Sequence, residues 1–164
     1  MSESDRQALR GKTAASLRAA NLSLVLREIV AATTPPSRAA LAAKLGMTRS
    51  TVSRLVDDLG AGRCVTEGDA QNVGRGRPAV PLYPAAGTLL ALGIEINVGR
   101  TVVSVVDLGG NTVASRVVER ESAELGPEAT LGLVAREAAD LLDELPVGAR
   151  VVGAHLVVPG LVDR

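Results

Sequence analysis

The twenty residues RAALAAKLGMTRSTVSRLVD, Arg38 to Asp57, constrain the chain more than any other stretch. Leu41, Leu45, Val52 and Leu55 have the spacing of apolar contacts that lock two helices at a steep angle. Ala42 is small where the helices come closest. Gly46 falls in the turn, where positive φ is easiest for glycine. Ser37 and Thr48 stand before the two runs as N-caps. This is the pattern of a helix-turn-helix. An ordinary helical hairpin shares its contacts but not the outward face of its second helix. There, Thr48, Arg49, Ser50, Thr51, Ser53 and Arg54 supply hydroxyls and cations, with no acid before Asp57. A merely solvated helix favours acids in its first turn, because the macrodipole prefers anions there. An acid-free first turn instead suits phosphate oxygens, and arginine suits guanine edges in a major groove.

The flanks extend this unit. Upstream, NLSLVLREIVAA places Leu22, Val25, Leu26, Ile29 and Val30 on one helical face, with Asn21 as N-cap and Pro35-Pro36 as terminator. Residues 1–20, polar and alanine-rich, read as a flexible arm or a frayed helix. Downstream, RCVTEG and AVPLYP are extended pieces joined by a loop that contains NVGRGRPAV. A strand–loop–strand ribbon directly after a recognition helix is the wing of a winged helix-turn-helix, predicted here over residues 21–84. In the loop, Gly76 permits close approach to a narrow groove and Arg75 and Arg77 meet its negative potential. Pro78 limits the conformations available. Arg-Gly-Arg-Pro also resembles the core of the AT-hook, a minor-groove motif. Double-stranded DNA is the expected partner.

Charge follows the same division. The chain of 164 residues is neutral overall, yet residues 1–83 carry 12 basic and 7 acidic side chains, and residues 84–164 carry 6 and 11. A net of +5 in front and −5 behind points the front at a polyanion. With one Tyr and no Phe or Trp, any core must be aliphatic. Apolar runs fall short of the roughly 20 residues that cross a bilayer, so no membrane is expected and the reading is cytoplasmic. The lone Cys64 cannot form an internal disulfide and reads as a small buried hydrophobe, and no Cys/His cluster has metal spacing.

The second half is different in character. LLALGIEI, RTVVSVVDL and NTVASRVVE are strand-like, with turns at Asn97-Val98-Gly99 and Gly109-Gly110-Asn111. An amphipathic helix follows from Pro127 to Leu145, and ARVVGAHLVVPG reads as a buried strand with His155 as a core histidine. Asp107 and Asp163, at strand ends, either face a cleft or cap nearby turns.

Three passages resemble the ROK family of repressors, open reading frames and sugar kinases. They are the helix-turn-helix with GRGRPAVPLYP, the strands LGIEINVGRTVVSVVDLGGNTV, and VVGAHLVVPGLVD, covering about residues 20–164. The resemblance implies an actin-like, ribonuclease-H-like α/β lobe, partial over residues 88–164, behind the winged helix. Where the family's kinases carry Asp-x-Gly-Gly-Thr against ATP phosphates, Glu95, Asn97, Val98 and Gly99 stand here, and a β-branched valine hinders close backbone approach. The family's catalytic Asp, its sugar contacts and its zinc site have no matching positions up to residue 164, so no cofactor is expected in this chain. The resemblance therefore implies a non-enzymatic, sequence-specific repressor of sugar-metabolism genes, homo-oligomeric, with a sugar ligand in a longer form. The alternatives are a sugar kinase with an appended DNA-binding domain, and a winged-helix regulator of another family whose second half dimerises.

Overall fold

The computed structural model describes the backbone of residues 3–70, 79–119 and 122–158, with side chains from 13–70, 79–119 and 125–158. Two compact units divide the chain, Met1–Pro84 and Ala85–Arg164.

The first unit holds α1 (Glu3–Val30), α2 (Arg38–Leu45), α3 (Arg49–Ala61), β1 (Val65–Glu67) and β2 (Leu82–Pro84). Helix α1 runs unbroken through Asn21, which is therefore no N-cap, and residues 3–20 continue the helix rather than forming a separate arm. Alanine and arginine carry good helix propensity, and that outweighs the local hydrogen bonding by which Asn21 could have started a new helix. Ser37 caps α2, its hydroxyl accepting from the Ala40 amide at 3.2 Å, and Gly46 ends it at φ 64°. Thr48 caps α3 by accepting from the Thr51 amide at 3.2 Å. Gly60 lies inside α3, and Gly62 closes the helix with an N–H to the Asp58 carbonyl at 2.9 Å.

Val25 and Ile29 of α1, Leu41 and Ala42 of α2, and Val52, Leu55, Val56 and Leu59 of α3 pack with Val65 and Leu82 into one aliphatic core. Cys64 is half-buried at its margin. The ribbon is shorter than the sequence pattern: β1 and β2 pair antiparallel over three residues each, from Val65↔Pro84 to Glu67↔Leu82. It is tied to the start of α2 by a Ser37–Pro81 bridge and by the Leu82 amide donating to the Pro36 carbonyl at 2.9 Å.

The second unit holds β3 (Leu89–Ile96), β4 (Arg100–Asp107), β5 (Thr112–Glu119), α4 (Ser122–Asp143) and β6 (Arg150–Val157). Its sheet has the order β5-β4-β3-β6: two hairpins, then α4 crossing over to bring β6 parallel to β3. In β4, Thr101, Val103, Val105 and Asp107 alternate inward, as the two-residue period requires. Val103, Val105, Leu90 and Leu92 meet Ala138 and Leu141 of α4. Helix α4 begins earlier than expected but is interrupted by Gly126 at φ 74°, directly before Pro127. Asp107 caps the β4–β5 turn. Its carboxylate accepts from the amides of Gly109 and Asn111, both at 2.9 Å, from the Asn111 side chain at 3.2 Å, and from the Gly87 amide at 3.4 Å.

Strand β6 departs from its sequence reading. All eight of its residues are exposed, His155 included, so this is no core histidine. Apolar periodicity reports what a strand could bury. Position in the sheet decides what it does bury, and β6 lies at an edge. Asp163 lies outside the described residues.

Candidate nucleic-acid interface

Helix α3 buries Val52, Leu55, Val56 and Leu59, and this stripe fixes what its other side presents. Thr48, Arg49, Ser50, Thr51 and Arg54 are exposed and Ser53 is half-buried. The first turn holds no acid. Arg49 and Arg54 make no hydrogen bond or ion pair among the described residues, whereas Arg18, Arg38 and Lys44 of the same unit are paired with Asp58, with Asp57 and Glu67, and with Glu28. The hydroxyls of the first turn are engaged with one another. Thr48 Oγ1 lies 3.0 Å from Ser50 Oγ and 2.8 Å from Thr51 Oγ1, while it accepts from the Thr51 amide. A hydroxyl has one hydrogen and two lone pairs, so Thr48 works mainly inside its own cap. Among the described residues the cations of this face have no such engagement, while Ser50 and Thr51 keep lone pairs that a donor can meet.

Arg75, Gly76, Arg77 and Pro78 lie outside the described residues, but both ends of the connection that carries them are held beside α3. On the leading side, Glu67 at the end of β1 accepts from Arg38 Nε at 3.0 Å and Nη2 at 2.7 Å. Arg38 Nη1 in turn donates to the Ser53 carbonyl of α3 at 2.9 Å, and Nη2 lies 2.7 Å from Asp57. On the returning side, Ala79 and Val80 line an open groove of about 580 Å³ together with Ser37, Arg38, Ala39, Arg49 and Ser53. The amide of Gly68 donates to the Pro81 carbonyl at 2.9 Å and draws the two sides together.

Arg38, Asp57 and Glu67 are the residues that sequence reasoning missed. One signal was available. Arg38 is the first residue of α2, where the macrodipole disfavours a cation, so its presence there needed another cause. Burial alone would lower its pKa, but the hydrogen bonds and charges of Glu67 and Asp57 outweigh that and raise it. The guanidinium is charged and held by Glu67, Asp57 and the Ser53 carbonyl.

The turn between β3 and β4 offers little to a phosphate. The Asn97 amide donates to the Arg100 carbonyl at 2.8 Å and the Val98 amide to Asn97 Oδ1 at 2.9 Å, so two amides are already satisfied. Val98 turns its side chain to the outside at 57% exposure, where a glycine would leave room. Among the described residues no group of three or more His, Cys, Asp or Glu could hold a metal, and no helix is long and apolar enough to cross a membrane.

No protein-family model matches the sequence. The uncharacterized protein y4fQ of Sinorhizobium fredii (strain NBRC 101917 / NGR234) is 33% identical over 125 residues, which covers 76% of this chain and 31% of that protein. The fold is similar to the crystal structure of a ROK family transcriptional regulator, a homologue of the E. coli MLC protein. The TM-score is 0.60 and the identity 20%, over 89% of this chain and 37% of that one. The chain thus spans about a third of the length of each.

Proposed function

We propose that the chain is a DNA-binding transcriptional regulator of the ROK type rather than an enzyme. Residues 21–84 act as a winged helix-turn-helix, and residues 88–164 are part of an actin-like lobe. Helix α3 enters the major groove, with Arg49 and Arg54 toward bases and phosphates, and the connection with Arg75, Gly76, Arg77 and Pro78 lies along the adjacent minor groove or backbone. The observation that carries this is the attachment of both ends of that connection to the acid-free side of α3, where the two arginines have no partner among the described residues. The similarity of fold to a ROK family regulator supports it, as does the satisfied turn at Asn97–Gly99, which disfavours the kinase alternative. We further propose that it works in the cytoplasm as a homo-oligomeric repressor of sugar-metabolism genes and that a sugar releases it from DNA.

The test is a salt titration of binding to duplex DNA. Replacing Arg75 and Arg77 together by Ala should lower the slope of log K against log salt by about 2, one for each lost phosphate-like contact, and weaken binding by about 10- to 100-fold. An unchanged slope removes the wing from the interface. Arg54→Ala or Ser50→Ala should relax base preference at particular positions, and unaltered preference in both removes α3 from the major groove.

A further inference from the structure

We infer that Arg38 is the positioning residue of the DNA-binding surface, fixing the base of the β1–β2 ribbon against α3 so that both reach one duplex together. This rests on the DNA-binding function proposed above. The inference starts from how many elements one side chain joins. From the first position of α2, the Arg38 guanidinium reaches the Ser53 carbonyl and the Asp57 carboxylate on α3, and Glu67 at the last residue of β1. Beyond these contacts the ribbon is only three residue pairs long. A two-stranded ribbon of that length has little stability of its own and takes its orientation from whatever holds it. Val65 and Leu82 anchor it in the core, one from each strand and at opposite ends of the pairing. The bridge at Pro81 and the Leu82 amide fasten the end from which the arginine–glycine connection leaves to the start of α2, and the Glu67–Arg38–Ser53 chain of hydrogen bonds fastens it to α3.

Three acceptors in three directions require the planar fork of arginine. Lysine carries the same charge as a single compact ammonium and cannot serve a backbone carbonyl and two separate carboxylates at once. Ser53 and Asp57 lie one turn apart on α3, so the contact also sets the rotation of α3 about its axis, and with it the direction of Arg49 and Arg54. Arg38 directs its guanidinium at these three acceptors and is not expected to meet DNA.

Two measurements test this, one of which needs no DNA. Spin labels are placed through Ala61→Cys on the last residue of α3 and Asp69→Cys just beyond β1, in a Cys64→Ala background; positions 61 and 69 are both exposed. Their distance distribution should broaden on Arg38→Ala, and equally on Arg38→Lys. If Arg38→Ala fails to fold, Glu67→Ala removes the acceptor and cuts only the ribbon side of the link, and should broaden the distribution too. A distribution unchanged in the folded variants overturns the inference. The second measurement is duplex binding in a cycle with the Arg75→Ala/Arg77→Ala pair. Arg38→Ala should weaken binding about tenfold in the parent and less than about twofold once the two loop arginines are gone. A loss of equal size in both backgrounds, rescued by Arg38→Lys, would mean that Arg38 touches phosphate directly and is no positioning residue. If the parent binds no duplex, the proposed function falls, and the spin-label result still decides whether Arg38 orients the ribbon.

Discussion

In the first unit the strands are three residues long and three helices supply most of the core; in the second the strands run to eight and one of them, β6, is exposed along its whole length. Both units draw on the same aliphatic alphabet, so composition does not separate them. What differs is the surface that remains. The first unit leaves cations and hydroxyls outward on α3. The second leaves Val151, Val152, Leu156 and Val157 outward on β6, and because neighbours on a strand point to opposite faces, both faces of the edge are apolar. A polar surface with unpaired cations invites a polyanion, whereas a bare apolar edge invites another strand or a packed layer.

Core truncations should separate the two units most sharply. Leu41→Ala in the first and Leu141→Ala in the second each remove a side chain with 1% residual exposure, at a cost of about 3 kcal/mol. Hydrogen exchange resolved along the chain should show each loss confined to its own unit. Equal loss of protection in both after either change would mean that they unfold as one, and the contrast would lose its basis.

Asp107→Ala comes next, at about 2 kcal/mol in the second unit, because the Gly109, Asn111 and Gly87 donors lose a charged acceptor. Burial works to raise the Asp107 pKa, yet hydrogen bonds from the Asn111 backbone and side chain, then from Gly87 and Gly109, bring it below the ordinary 3.8. A carboxyl whose folded pKa is depressed contributes stability that is whole above the unfolded value and is lost as pH falls through the folded one. The second unit should therefore weaken below about pH 4 through this group. Acid titration of Asp107→Asn should lack that component, and an identical acid limb in the variant would remove Asp107 from the account.

Gly46→Ala should cost the first unit about 1 kcal/mol through backbone strain at φ 64°, since an added Cβ would meet nothing within 4 Å. The smallest effect on stability belongs to β6. Leu156→Lys and Val157→Lys should each change the stability of the second unit by no more than about 0.5 kcal/mol, because each side chain is already half exposed. Both should reduce concentration-dependent association in sedimentation velocity. Association that persists unchanged would show that the edge is not a sticky surface.

Local chemistry was legible in the sequence, and chemistry that spans the chain was not. Ser37, Gly46 and Thr48 act within four residues of themselves, so their roles could be read from spacing alone, as could the apolar stripe of α3. The continuity of α1 was missed because Asn21 satisfies the local rule for a start, and only a longer window weighs that against helix propensity on both sides. Strand β6 was misjudged because an apolar run does not reveal whether it lies centrally in a sheet or at its edge. The Arg38 link joins residues 15 and 29 positions away, a separation at which no sequence period operates. Arg75 and Arg77 were read from composition and neighbourhood, and their geometry lies outside the described residues.

The shared hydroxyls at the start of α3 have a thermodynamic consequence. Side chains already seated in one arrangement have little rotational freedom left to surrender when a ligand arrives, so the turn can make its contacts at small entropic cost. Arg49 and Arg54, by contrast, have no partner among the described residues and must be immobilised on contact. On the proposed function, a rigid hydroxyl platform flanked by adaptable cations would approach any duplex, while a tight grip would be held back for the sequence on which both arginines find fixed acceptors.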